Sequence, residues 1–339
     1  LNKGEIPEYE KQEEHVNFQY GATSIKTIVE ASAIDKEFAN ELLEKYANKD
    51  FSVQDFKYVI EKSQEDKDFT KTLMNYTVTD YNDEKNERFN IYGISQILEN
   101  APANKEFITE VLNETKKDYW GKLKYKYDLN DIIAISKAAK IDETLTKKLL
   151  NQKYTHFDNV YERFEPTQLE GLVKDSQTDK KLFNYLLNKT EKKYDDEDHY
   201  VYNYNSIHTI MELSKKNKKL VQKLLDANEK YSKEVYADYD IEKIVEAYEQ
   251  DPEYTDYLLS LKSKNKDGTE TPFILGFEFM HLINANKKDS VYTDKLLNMR
   301  EYNSSGSEVH VYNGENIEKI VDAHLEDSDF TEELIHQKY

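Results

Sequence analysis

A pattern of apolar residues 19 positions long is written nine times along this 339-residue chain without changing length. Its first instance is Ile25, Ile28, Val29, Asp35, Phe38, Leu42 and Leu43; its last is Ile317, Ile320, Val321, Asp327, Phe330, Leu334 and Ile335. The intervening copies are anchored at Phe56, Ile94, Ile132, Leu169, Ile207, Ile241 and Phe279, so successive anchors stand 31, 38, 38, 37, 38, 34, 38 and 38 residues apart. A period in the high thirties predicts a stack of helix pairs and not one closed core. The fold expected is all-α or mostly α: a right-handed α-α solenoid of nine helix-pair repeats forming a single domain over residues 1–339.

Each position of the frame has a physical reading. Apolar residues at i, i+3 and i+4 make the buried stripe of a first helix. Six and seven residues past the anchor the side chains are often small, as at Ala31, Ser32, Ala138, Ala139, Ala247, Ala285 and Ala323, which lets a second helix cross closely. That helix opens at a residue that is Asp or Asn in all nine copies, because a short side-chain oxygen accepts from the free N–H groups of a first turn. Pro252 follows Asp251, where a first-turn proline is tolerated. In the fourth copy Ser136 takes an apolar slot. Five residues before the anchor the chain is aromatic in eight copies, from Tyr20 to Tyr312, with Ile274 the exception. A cap former often follows, which predicts a hydrophobic staple at the entrance of each first helix.

Between copies run polar connectors such as "NETKKDYWGKLKYK" and "NMREYNSSGSEVHV". Turn residues flanked by alternating apolar and polar positions predict short extended segments or small hairpins there. Side by side, these would form a ridge. The connectors also hold aromatic residues outside the frame: Tyr81, Tyr119, Trp120, Tyr154, Tyr194, Tyr231 and Tyr302. They are the candidate partner-binding residues, since Tyr and Trp are favoured interface anchors; packing against a neighbouring connector is the competing reading. The terminal sequences look like parts of further units, which suggests an excerpt of a longer array.

Composition narrows the function. Acidic residues number 67 against 47 basic ones, a formal charge of −20, which repels phosphate backbones and anionic lipid surfaces. The 27 tyrosines and 14 phenylalanines argue for a folded chain despite its high charge. With no cysteine there are no disulfides or thiolate sites, which fits a cytoplasmic or an exported chain alike. The eight histidines contain no HExxH and no i, i+4 pair among themselves. The most calcium-like stretch, residues 263–274 with Asn265, Asp267 and Gly268, puts Ile274 where a bidentate Glu belongs. The acidic run Asp195 to Asp198 reads as a solvated tip, and no phosphate loop or GxSxG is present. Three sequons, at Asn75, Asn113 and Asn188, occupy equivalent positions after the Leu pair, as repeat descent would place them; Asn303 begins a fourth. No catalytic, cofactor or metal residue is assigned.

In layout the chain resembles the α-solenoid class that includes HEAT and armadillo repeats. The segment "IMELSKKNKKLVQKLLD" (210–226) is similar to a Pumilio-type repeat, but the other copies lack a repeated base-reading trio and the charge opposes RNA. Repeated helix pairs give an extended surface, so the function expected is a non-enzymatic scaffold that binds a protein through an extended acidic, tyrosine-rich surface, the acidic face favouring a basic partner. The alternative is an architectural spacer.

Overall fold

A computed structural model describes residues 20–47, 49, 51–79, 84–101, 103–156, 159–192, 198–230, 236–265, 268–304 and 306–336. Among them the chain is mostly helical, with sixteen helices and six two-stranded antiparallel sheets. It divides into two compact units, Leu1–Lys148 and Leu149–Tyr339.

In the first unit, α1 (Ala22–Ile34), α3 (Val53–Ser63) and α5 (Ile91–Asn100) hold the anchor stripes, and α2 (Lys36–Tyr46), α4 (Lys67–Asn75) and α6 (Lys105–Asn113) hold the Leu pairs. Then α7 (Leu129–Leu150) carries both stripes of the fourth copy, on either side of a non-helical Asp142. Helix α1 packs on α3 and α3 on α5, while α2 reaches α3 and α4 reaches α5. In the second unit α8 (Pro166–Thr178), α10 (Tyr204–Lys230), α11 (Asp238–Gln250), α13 (Glu278–Lys288) and α15 (Gly314–Glu326) pack in succession. Against them lie α9 (Lys180–Asn188), α12 (Pro252–Ser260), α14 (Ser290–Leu297) and α16 (Ser328–Ile335), and α10 is interrupted at Asn217 as α7 is at Asp142.

The frame residues make the core. Phe56, Val59, Ile60, Ile94, Ile97, Leu169, Leu172, Val173, Leu186 and Leu187 are all fully buried. Ser136 is fully buried too, and its hydroxyl donates to the Ile132 carbonyl at 2.7 Å, so a polar side chain is tolerated in an apolar slot. Ile25, Val29, Phe330 and Leu334 occupy frame positions yet are exposed. The frame buries a copy between two neighbours, and the described residues supply these with one.

Eight of the nine frame Asp/Asn side chains accept from a backbone N–H of the second helix, in most copies the N–H three residues on: Asp35 from Phe38 at 3.0 Å, Asp142 from Leu145 at 2.9 Å, Asn217 from Leu220 at 3.0 Å. Asn104 differs, with a backbone at φ −133°, ψ 32° and no side-chain cap bond. Pro102, outside the described residues, has no N–H to continue a helix, and α5 stops at Asn100. The staple is seen in the Phe51 and Phe56 rings, 5.3 Å apart around the Ser52 cap. In the eighth copy, where Ile274 replaces the aromatic and Leu275 the cap former, α13 starts only at Glu278.

Three caps do a second job that the frame conceals. Lys67 pairs with Asp35 of the preceding copy at 2.6 Å, Lys218 with Asp179 at 2.6 Å, and Lys105 with Asp66. The lysine in each case directly follows the cap of the next copy. These lysines, followed by the capped N–H groups, hold all three carboxyls below the usual carboxylate range. A depressed carboxyl contributes stability that is complete above its unfolded pKa of about 4 and is lost as pH falls through the lower folded value. We expect thermal stability to fall on acidification below about pH 4, and Asp66→Asn, which keeps a good cap, to flatten that fall. An unchanged acid profile in the Asn variant would remove the lysine pair as its cause.

Candidate functional site

The connectors fold as hairpins: β1 (Thr77–Thr79) with β2 (Lys85–Glu87), β3 (Thr115–Lys117) with β4 (Leu123–Tyr125), β5 (Lys153–His156) with β6 (Asn159–Glu162), and β7 (Thr190–Lys192) with β8 (Asp198–Tyr200). Two more follow, β9 (Lys262–Lys264) with β10 (Glu270–Pro272) and β11 (Arg300–Tyr302) with β12 (Glu308–His310). Three have the same tip. Gly121, Gly268 and Gly306 take φ of 78°, 81° and 82°, and each N–H returns to the carbonyl three residues back, Asp118, Asn265 or Asn303. A tight turn closed by a left-handed residue suits a hairpin, and glycine adopts that conformation without strain. Asn265 of the calcium-like stretch is committed to this turn, its amide donating to Thr269 Oγ1 at 2.9 Å; Asp267 lies outside the described residues.

At the β3–β4 tip the Asp118 carboxylate accepts from the Trp120 and Lys122 N–H groups at 3.0 and 2.9 Å. The backbone is thereby fixed while the side chains project. Tyr119 is 95% exposed and Trp120 77%, their rings edge to face at 5.9 Å. Leu123, also exposed, follows on β4. This connector, residues 113–127, carries five lysines against two acids, opposite in sign to the chain as a whole. Lys124 lies 6.0 Å over the Trp120 ring and pairs with Asp118 at 3.2 Å.

The other sequence candidates are dispersed. Tyr154 faces Tyr161 across the β5–β6 register with stacked rings at 5.5 Å, both half-exposed. Tyr302 stands 74% exposed on β11. Tyr81, Tyr194 and Tyr231 lie outside the described residues, as do Asp195, Asp196 and Glu197. Other aromatics pack between connectors, Tyr76, Tyr125, Tyr200 and Phe273 among them. Tyr76 meets Tyr125 edge to face at 6.0 Å and donates to the Asn113 side chain at 3.0 Å.

Arginine anchors the hairpin roots. Only three of the 47 basic residues are arginine, and all three stack on aromatic rings: Arg88 on Tyr125 at 3.8 Å, Arg163 on Tyr200 at 3.5 Å and Arg300 on Phe273 at 3.5 Å. Burial lowers the pKa of each, Arg163 to about 10. At the last root His310 lies 3.5 Å from the Phe273 ring with Nε2 3.1 Å from the Phe273 carbonyl, and burial pulls its pKa down to about 4.

A second cluster lies between α8 and α10. His208 Nδ1 is 2.8 Å from Asp175 Oδ2, and Glu212 stands one turn beyond His208. Asp175 occupies the small-residue position of the fifth copy; that substitution is the signal in the sequence that could have marked it. Among the described residues no helix is long and apolar enough to cross a membrane. No family model matches the chain, and no curated protein is similar to it in sequence.

Proposed function

We propose that the chain is a non-enzymatic, right-handed α-α solenoid of nine helix-pair repeats that binds a protein partner through its hairpins. The unchanging frame supports the repeat reading: most of its apolar side chains among the described residues are buried between packed helices. The observation that carries the binding reading is the β3–β4 tip. There two large aromatic side chains stand in solvent on a backbone already fixed by Asp118, so little ordering entropy remains to be lost on docking. Val160, Tyr161 and Tyr302 add exposed apolar surface on other hairpins. The acidic composition favours basic partners for the helix faces and makes association sensitive to salt.

The test is affinity capture from native-host extract with the parent chain and with Tyr119→Ala/Trp120→Ala. We expect a partner held at low salt, released at high salt, and weakened about tenfold or more by the double substitution, with helicity and melting temperature unchanged. Capture of nothing at low salt would favour the spacer; equal capture by both chains would move the binding surface away from this tip.

A further inference from the structure

Six residues past the anchor five copies carry alanine, at Ala31, Ala138, Ala247, Ala285 and Ala323, whereas the fifth copy carries Asp175. Helix packing does not call for an acid there. Its side chain is only 3% exposed. Burying a carboxylate is costly without compensation, so the surroundings of Asp175 are informative.

They are donors of metal-binding type. His208, one residue past the anchor of the sixth copy, brings Nδ1 to 2.8 Å from Asp175 Oδ2. Its ring plane is set by Tyr204, stacked one turn earlier at 5.9 Å and 6°. Tyr204 in turn rests against Gly171 of α8, where a Cβ would meet its hydroxyl at 2.9 Å. Glu212 follows on the same face of α10, and one ligand atom from each of Asp175, His208 and Glu212 lies within 4.8 Å of the other two.

We propose that Asp175, His208 and Glu212 form a site for a divalent transition metal of the zinc class that ties α8 to α10. One imidazole nitrogen and two carboxylate oxygens suit zinc, which binds three protein ligands and leaves a fourth position open. Bonds of about 2.0–2.2 Å put two donors on one ion no more than about 4.4 Å apart, so the triangle closes with a small movement. Glu212 can make it: its side chain is 48% exposed and paired only at the surface, with Lys215. His208 is 44% exposed, so the ion enters from solvent while Asp175 holds it from within. The ion takes the place of the His208–Asp175 hydrogen bond, and its two positive charges balance the two carboxylates.

The experiment is zinc titration by calorimetry on the chelator-stripped chain, with Asp175→Ala, His208→Ala and His281→Ala beside it. Asp175→Ala installs the residue that five other copies carry, so it is expected to fold. His281 pairs with Glu318 at 2.6 Å, away from the proposed triad, and serves as the control. We expect one zinc per chain with Kd of about 10 µM or tighter, weakened about tenfold or more in the Asp175 and His208 variants and unchanged in the His281 variant. Zinc is also expected to raise the melting temperature of the parent but not of Asp175→Ala. Equal affinity in all four chains would assign the metal to scattered surface carboxylates and overturn the site. No binding at about 1 mM zinc would do the same.

Discussion

Gly276→Ala is expected to destabilise the second unit by about 3 kcal/mol, at the upper end of what overpacking costs. A Cβ built at Gly276 falls 2.3 Å from the Asp240 Cβ, 2.4 Å from its Cα and 2.5 Å from Oδ1. The obstacle is another segment's backbone, which cannot swing aside as a long side chain can. The entrance of α13 here crosses the first turn of α11, and Asp240 ties the two together: it accepts from the Ala237 N–H at 3.2 Å and is bonded to the Gly276 and Phe277 backbone. Making room for a methyl group therefore breaks part-buried hydrogen bonds as well as packing. Gly21→Ala is the control, an exposed position with nothing within 4 Å of the added Cβ. Trp120 lies in the other unit and cannot report on this one, so the measurement is amide hydrogen exchange across α11 and α13. Protection in Gly276→Ala within about 0.5 kcal/mol of the parent would mean that the two backbones do not approach this closely in the folded protein.

Such crossings explain how unevenly the fold was legible in the sequence. Helix positions could be read because the signals are local and repeated: Ile25 to Val29 or Asp35 to Leu43 contain their own periodicity and cap, and nine copies average out accidents. Asn104 shows the limit of averaging. Its residue type fits the frame, yet its backbone stands at φ −133°, ψ 32° and the cap is not made. Hairpins could be expected from Tyr-rich alternation, yet the exposure of Tyr119 and Trp120 depends on where the turn closes, which Gly121 and Asp118 decide together. The contacts between copies were the least legible. Lys67 with Asp35, Arg88 with Tyr125 and His208 with Asp175 each join residues more than thirty positions apart. Which of them meet depends on how neighbouring helices stack, and of these six residues only Asp35 belongs to the frame that all copies share. Asp175 is instructive because it departs from a column of alanines: a repeat frame shows best what is specific where it is violated.

Arg163 joins two copies through one planar group, and Arg163→Ala is expected to cost the second unit about 3 kcal/mol or more, since hydrogen bonds to charged groups contribute about 1.5–3 kcal/mol each. Its Nη1 donates to the Leu187 carbonyl at 2.5 Å and to Gln152 Oε1 at 3.0 Å, and its Nη2 to the Tyr202 carbonyl at 2.8 Å. Leu187 O is one of the terminal carbonyls of α9 that lack a partner within the helix, and Tyr202 O lies at the entrance to α10. The Tyr200 ring covers the guanidinium face, so the charge is separated from water on one side and satisfied at its edge. Alanine would leave both carbonyls short of a donor and open the space beneath Tyr200. Lysine is not expected to rescue, because an ammonium is more strongly hydrated and cannot present parallel donors from a stacked plane. The chain contains the comparison already: Lys126 holds the equivalent position before the fourth copy, and its Nζ pairs with Glu114 of its own hairpin at 3.0 Å. Hydrogen exchange of the α9 C-terminal and α10 N-terminal amides measures the effect, with Arg300→Ala as a companion at the Phe273 root. Full protection in Arg163→Lys would reduce the role of this residue to its charge alone; loss of protection in both Arg163 variants, with α13 and α15 unaffected, is the expected result.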